Sequence, residues 1–169
     1  ETYALSSKVE SRKSKVGIVK EFMGDGVDPG VREVIERAVD DLRASGVDVV
    51  EVSIPSIDLA LACYYIIVPA EVSSNLSRYD GHRYGFSHSD ANNLEDSFSG
   101  TRGTGFNPEN KRRIMIGTYV LSSGYYDAYY KKAALLRTKI INEFAKAFEQ
   151  VDFLIGPVAP TTAPRVGEN

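Results

Sequence analysis

An α/β fold is expected from three observations. A strand-like run from Lys15 to Phe22 is followed by an amphipathic helical pattern opening at Asp28-Pro29, and then by a second alternating run from Val47 to Ile54. Long helical patterns fill the middle of the chain, and a short apolar run from Val151 to Gly156 leads into a proline-rich loop. Strand, helix and strand in that order make a crossover that winds right-handed and leaves its two strands parallel.

Residues 1–14 lack apolar periodicity and read as a linker entering from something upstream, ahead of one globular domain's worth of chain. Lys8, Arg12, Lys13 and Lys15 make a short basic run there, of the kind a solvated linker carries more often than a nucleic-acid-binding arm. Lys15 to Phe22 alternates as a strand, and Met23-Gly24-Asp25-Gly26 turns it. Asp28 then supplies a cap and Pro29 suits a first turn, after which Val31, Val34, Ile35, Ala38, Val39 and Leu42 recur at helical spacing until Gly46. Val47 to Ile54 is the second strand.

From Ser56 the helical pattern returns through Leu59, Ala62, Cys63, Ile66 and Ile67, until Pro69 interrupts or kinks it; a second piece from Ala70 to Leu76 is expected beyond. Residues 78–106 are polar and glycine-rich, with only Leu94 to Phe98 suggesting a brief helix. A connection this long inside a compact domain is usually functional or docked on a partner. Asn107-Pro108-Glu109 caps the next helix, which is expected to run to Ser122. Gly124 permits a break. Tyr125 to Gln150 then carries Tyr126, Tyr130, Ala133, Ile140, Phe144 and Phe148 on one broad face, and Val151 to Gly156 reads as a buried strand.

The summary properties narrow the function. At 169 residues, 43% hydrophobic and net charge −3, the chain can bury a core and has no overall pull toward phosphate backbones. The longest apolar stretches, such as Leu59 to Ala70, are shorter than a bilayer span, and a cytoplasmic setting is expected. Cys63 is the only cysteine, so neither an intrachain disulfide nor a cysteine-based zinc site is possible. His82 and His88 share one polar loop without a metal-ligand spacing, and no G-x-S-x-G serine accompanies them. The pairs Ser73-Ser74 and Ser122-Ser123 sit in helical patterns, where small residues usually let another element approach.

Three segments, YYIIVPAEVSSNLSRYDGHRYG from Tyr64, RIMIGTYVLSSGYYDAYYKKA from Arg113 and GPVAPTTAP from Gly156, occur in the order and spacing of one family. Over residues 15–169 the chain resembles the C-terminal portion of the amidase domain in the A subunits of the aspartyl/glutamyl-tRNA amidotransferases, members of the amidase signature family. The resemblance implies an α/β mixed-sheet sandwich with helices packed on the sheet. It also implies glutamine hydrolysis by a Ser-Ser-Lys triad, with ammonia passed to a B subunit that uses ATP and magnesium to amidate glutamate or aspartate already charged on tRNA. B and C subunits are the implied partners, and tRNA is engaged mainly through the partner subunit. The family's catalytic lysine and its glycine- and serine-rich nucleophile segment lie upstream of the matching region and have no counterpart here. No catalytic residue is therefore assigned, no cofactor is expected in this chain, and the chain alone should be catalytically silent.

In the family a tyrosine, an arginine and a later acidic residue recognise glutamine; the first two fall on Tyr64 and Arg113, and the third lies beyond the chain. The assignment suits the chemistry, because an α-carboxylate calls for a cation with fork geometry beside a hydroxyl or aromatic wall. Adjacent helical positions diverge by about 100°, so Arg113 can face inward while Arg112 faces water. The plainer alternative is a pair of exposed helix arginines, or an ion pair with Glu71. Ten tyrosines without tryptophan concentrate in the Tyr125–Tyr130 stretch, where Tyr126 and Tyr130 suit core packing and Tyr125 and Tyr129 a partner surface. Thr161 and Thr162 follow a strand end, a usual place for ligand contacts in open α/β sheets, or else a proline-stiffened turn. Two other functions remain open: a different amidase-signature hydrolase acting on another small amide, and a non-catalytic interaction domain using the 78–106 segment and the tyrosine stripe.

Overall fold

The computed structural model describes residues 14–167. Apart from Ser14, the linker expected over residues 1–14 lies outside the described residues, and so do Lys8, Arg12 and Lys13. The elements are β1 (Lys15–Val19), α1 (Pro29–Ala44), β2 (Asp48–Val52), α2 (Ala60–Leu76), α3 (Leu94–Gly105), α4 (Pro108–Leu121), α5 (Tyr130–Phe148) and β3 (Phe153–Ile155), with 3-10 turns at Lys20–Met23 and Ile57–Leu59. Two compact units result. One comprises residues 14–58 and 140–167 of those described, the other residues 59–139.

The first unit is built on a sheet of order β2-β1-β3. All three strands are parallel, with Val16 facing Val49 on one side and Phe153 on the other. The β1-α1-β2 crossover matches the expectation, and the Asp28 side chain caps α1 by accepting from the Gly30 N–H at 2.8 Å. Strand β1 is shorter than its apolar alternation suggests: at Lys20 the chain tightens into a 3-10 turn. That turn brings the Glu21 carboxylate to the end of β2, where it accepts from the Ile54 N–H at 2.9 Å and from the Ser53 hydroxyl. Glu143 of α5 grips the same exit, accepting from Ser56 N–H at 2.8 Å and Ser56 Oγ at 2.7 Å. Beneath these clamps Val19, Val52, Ile54, Ala147 and Val151 form the buried core, with Phe22, Val50, Ile57, Phe144 and Leu154 packed around it. The strand expected to be buried at Val151 to Gly156 is only half so. Successive residues point to opposite faces, so Leu154 joins the core while Phe153 on the edge strand is 60% exposed.

In the second unit, Pro69 does not divide the helix. α2 runs unbroken from Ala60 to Leu76 with Pro69 inside it and fully buried. A proline inside a helix forfeits one hydrogen bond, and here tertiary packing offsets the loss, because the Pro69 carbonyl lies directly against Gly117 of α4. A side chain at 117 would overlap that carbonyl and sit 2.6 Å from Ser73 Cβ. Beside this contact Ser73 Oγ meets Thr118 Oγ1 at 2.9 Å. The continuous helix also revises the expectation on apolar length: Ile57–Leu76, 20 residues with mean hydropathy 1.4, is long and apolar enough to cross a membrane by length and composition. Cys63 is buried as expected, its Sγ 3.2 Å from the Ala133 carbonyl.

Two further boundaries differ. α3 is a full helix, Leu94–Gly105, where only a brief one was expected within the polar segment. Asn93 caps it by accepting from the Asp96 N–H at 2.9 Å, and Arg102 ties its far end to the carbonyls of Tyr79 (3.1 Å) and Ser77 (2.8 Å). Its glycines hide this helix from periodicity. α5 begins at Tyr130 rather than Tyr125, since residues 123–129 form turns around Gly124, which takes φ +90°.

The α2–α4 contact generates a stability prediction. Gly117→Ala should destabilise the chain by about 3 kcal/mol, the upper part of the range for overpacking against backbone, seen as a lower urea midpoint with unchanged m-value. An unchanged midpoint would show that the two helices do not meet this closely.

Candidate functional site

The N-terminus of α4 gathers the charged groups. Asn107 accepts from the Asn110 N–H at 2.8 Å, which fixes the first turn and with it the direction of the side chains that follow. Glu109, Arg112 and Arg113 stand three and four residues apart, the spacing at which helical side chains meet. Arg112 Nε donates to Glu109 Oε2 at 2.7 Å and Arg112 Nη2 to Oε1 at 2.7 Å, a two-pronged pairing. Arg113 Nε donates to the same Oε1 at 2.8 Å. From α2, the Tyr64 hydroxyl accepts from Arg113 Nη1 at 3.0 Å.

Sequence reasoning placed Arg113 inward and Arg112 outward. The Arg113 side chain is 27% exposed and that of Arg112 54% exposed. The ion-pair partner is Glu109, however, and not Glu71. Glu71 instead accepts a long 3.4 Å bond from the Tyr130 hydroxyl. Hydrogen bonds from Arg112, and then from Arg113, hold the Glu109 carboxyl at about 2, well below its usual range. The Tyr64 hydroxyl and then Glu109 raise the Arg113 guanidinium further above its already high value. The resulting groove, about 570 Å³, runs between α2 and α4 and is lined by Glu71, Asn75, Glu109, Asn110 and Arg113 together with apolar α2 residues.

Bond counting shows what this cluster can do. A guanidinium carries five N–H donors, and Arg113 commits Nε to Glu109 and one Nη1 hydrogen to Tyr64, which leaves Nη2 uncommitted among the described residues. Tyr64, acting as acceptor toward Arg113, keeps its own proton to donate. Glu109 balances the charge of one arginine, and Glu71, whose carboxylate has the neutral Tyr130 hydroxyl as its only hydrogen-bond partner among the described residues, sets a second carboxylate in the same groove, so Arg113 offers a local cation in a groove of mixed charge. An oxyanion meeting both the Arg113 end and the Tyr64 hydroxyl would receive charge-assisted hydrogen bonds.

The other singled-out residues behave differently. Thr161 and Thr162 line a cleft of about 420 Å³ in the first unit, walled by Gly30, Val31, Val34 and Ile35 of α1. Its loop is fastened by the Asp28 N–H donating to the Pro160 carbonyl at 2.8 Å. Tyr125 and Tyr129 gather with Tyr119, the closest centroids being 4.2 Å apart for Tyr119 and Tyr125. The hydrogen bond to Tyr125 and burial push the Tyr119 phenol up to about 12. Tyr126 stacks on Tyr130 at 5.2 Å, but Tyr126 is 44% exposed, so the expected core role fits only Tyr130 in part. Ser122 lies just past α4 and donates to the Tyr119 carbonyl at 2.7 Å. His82 approaches Ser97 Oγ at 3.4 Å, and among the described residues no acidic, cysteine and histidine cluster could hold a metal. Glu109, which joins the two arginines, was treated by sequence reasoning only as part of a cap; its spacing to both arginines was the available signal.

Comparison with known proteins places this geometry in context. A family model described as Amidase matches residues 1–169. The chain is 54% identical over 154 residues to the A subunit of the glutamyl-tRNA(Gln) amidotransferase of Lactiplantibacillus plantarum, covering 91% of this chain and 32% of that protein. The protein of the same description from Thermoanaerobacter pseudethanolicus is 49% identical over 166 residues, covering 98% of this chain and 34% of that protein. The chain thus spans about a third of the length of the curated relatives it matches. Among solved structures, the A subunit of the glutamyl-tRNA(Gln) amidotransferase of Thermotoga maritima is similar with TM-score 0.61 and 35% identity, over 92% of this chain and 29% of that one. A crystal structure of an amidase shares the fold with TM-score 0.68 at 23% identity, over 93% of this chain and 30% of that one. With the family model matched from the first residue to the last, the chain belongs to the amidase family.

Proposed function

We propose that this chain is a portion of the glutamine-hydrolysing A subunit of a tRNA-dependent amidotransferase, and that its part in the reaction is to hold glutamine. The observation that carries the reading is the junction of Tyr64 and Arg113 across α2 and α4, with a 3.0 Å hydrogen bond between them. Free glutamine differs from simple amides that are not amino acids in bearing an α-carboxylate and an α-ammonium group. Arg113 and Tyr64 offer donors to the first, which fixes the molecule by its backbone end and leaves the side-chain amide to reach a nucleophile. The nucleophile and its lysine belong to the Ser-Ser-Lys triad implied by the resemblance, and none is assigned among the residues of this chain. Ammonia released by hydrolysis would serve a B subunit, which uses ATP and magnesium to convert Glu-tRNA(Gln) or Asp-tRNA(Asn) to the amidated forms, with a C subunit completing a cytoplasmic complex. Thr161 and Thr162 are proposed as contacts of a separate cleft, whose apolar wall suits a less polar group.

Binding in this manner predicts a kinetic signature. In the assembled amidotransferase, Arg113→Ala should raise KM for glutamine roughly tenfold to a hundredfold, the effect of losing about 1.5–3 kcal/mol of hydrogen bonding to a charged group, while amidation fed by free ammonia continues. Tyr64→Phe should raise it less. Unchanged KM in both variants would remove the glutamine-holding role, and normal glutamine use with impaired turnover of another small amide would favour a different amidase.

Acidity supplies a second test. The folded pKa of Glu109 is about 2 against an ordinary value of 4.5, so the stabilising contribution of its arginine pairing is complete above about pH 4.5 and is lost as pH falls through about 2. A carbon-13 titration of the Glu109 carboxyl should therefore show its midpoint near 2. A midpoint at the ordinary value would mean the paired arrangement is absent in solution.

A further inference from the structure

We propose that Glu109 is a positioning residue for ligand recognition: by accepting from Arg113 Nε at 2.8 Å while held on its other side by Arg112, it sets the plane and rotamer in which Arg113 reaches Tyr64 and presents its uncommitted Nη2 edge. The inference rests on the glutamine-holding reading and adds to it a role for Glu109 that is exerted through Arg113.

The argument starts from flexibility. An arginine side chain has several freely rotating bonds, and ordering it costs free energy that a ligand must otherwise supply on binding. Arg113 is fixed at two points, one on its own helix and one on α2, so its guanidinium plane is defined before any ligand arrives. The fixed point on its own helix is itself fixed. Arg112 engages both oxygens of Glu109, whereas Arg113 takes only Oε1, so the carboxylate is anchored by one arginine and orients the other. Charge follows the same division. Arg112 offsets Glu109, so the carboxylate that orients Arg113 does not by itself neutralise it.

A purely structural role for Glu109 also has a physical basis, because a carboxylate in the first turn of a helix interacts favourably with the N-terminal dipole. A double-mutant cycle in the assembled amidotransferase separates the two. Glu109→Gln should raise KM for glutamine by about tenfold, with the loss on KM rather than kcat, and should add nothing further in an Arg113→Ala background. Arg112→Ala should raise KM in the same direction by a smaller factor. Asp40→Asn, which breaks the similarly spaced Asp40–Arg43 pair on α1, serves as the control and should leave KM unchanged. An equal effect of Glu109→Gln in both backgrounds, or a loss confined to kcat or to the unfolding midpoint, would overturn the positioning role. If Arg113→Ala raises KM and Glu109→Gln does not, this inference falls while the glutamine reading stands; if neither variant changes KM, the reading itself falls.

Discussion

The second unit depends on the close approach of two helix backbones. Where Gly117 of α4 meets the Pro69 carbonyl of α2, nothing larger than a hydrogen fits between them. Tyr64 lies five residues before Pro69 and Arg113 four before Gly117, so each stands within about one and a half helical turns of that contact. A hydrogen bond tolerates only a few tenths of an ångström in length. Two long side chains on separate helices hold a 3.0 Å bond only if the helices beneath them are fixed to comparable tolerance. The glycine and the buried proline supply that tolerance, and the Ser73–Thr118 hydroxyl contact reinforces it.

Much of this was legible in the sequence, for identifiable reasons. Asp28-Pro29 and Asn107-Pro108 announce their helices because an N-cap acts locally, and both caps form as written. The β1-α1-β2 crossover was readable from alternation and periodicity alone. What escaped the sequence was set by contacts distant along the chain. Pro69 should interrupt α2 by local rules, but the packing that carries the helix through comes from Gly117, nearly fifty residues away. The early end of β1 follows from Glu21 reaching Ser53 and Ile54. α3 was underestimated because glycines at 100, 103 and 105 lower local propensity, while Arg102 bonds to carbonyls some two dozen residues upstream.

The candidate site shows the same division. Tyr64 and Arg113 came from motif resemblance, and the physical case for Arg113 facing inward needed only helical geometry. Glu109 was available from the i, i+3 and i, i+4 rule, yet that rule alone ranks it with many exposed surface pairs worth little. What distinguishes it is the third link, the bond from Arg113 to a tyrosine on another helix, which no spacing rule discloses.

That link also explains the division of labour between two adjacent arginines. A lone exposed arginine offers charge but spends it on water and on whichever carboxylate passes. Two arginines sharing one glutamate repel each other, and that one carboxylate cannot neutralise both. In the proposed reading, one arginine anchors the carboxylate and the other meets the ligand. Tyr64 extends the effect: once its oxygen accepts from a cation, its own proton becomes a better donor, because hydrogen bonds in sequence polarise one another. A carboxylate arriving there would meet a preset pair of donors rather than two flexible side chains, so selectivity for an α-carboxylate follows from rigidity as much as from charge.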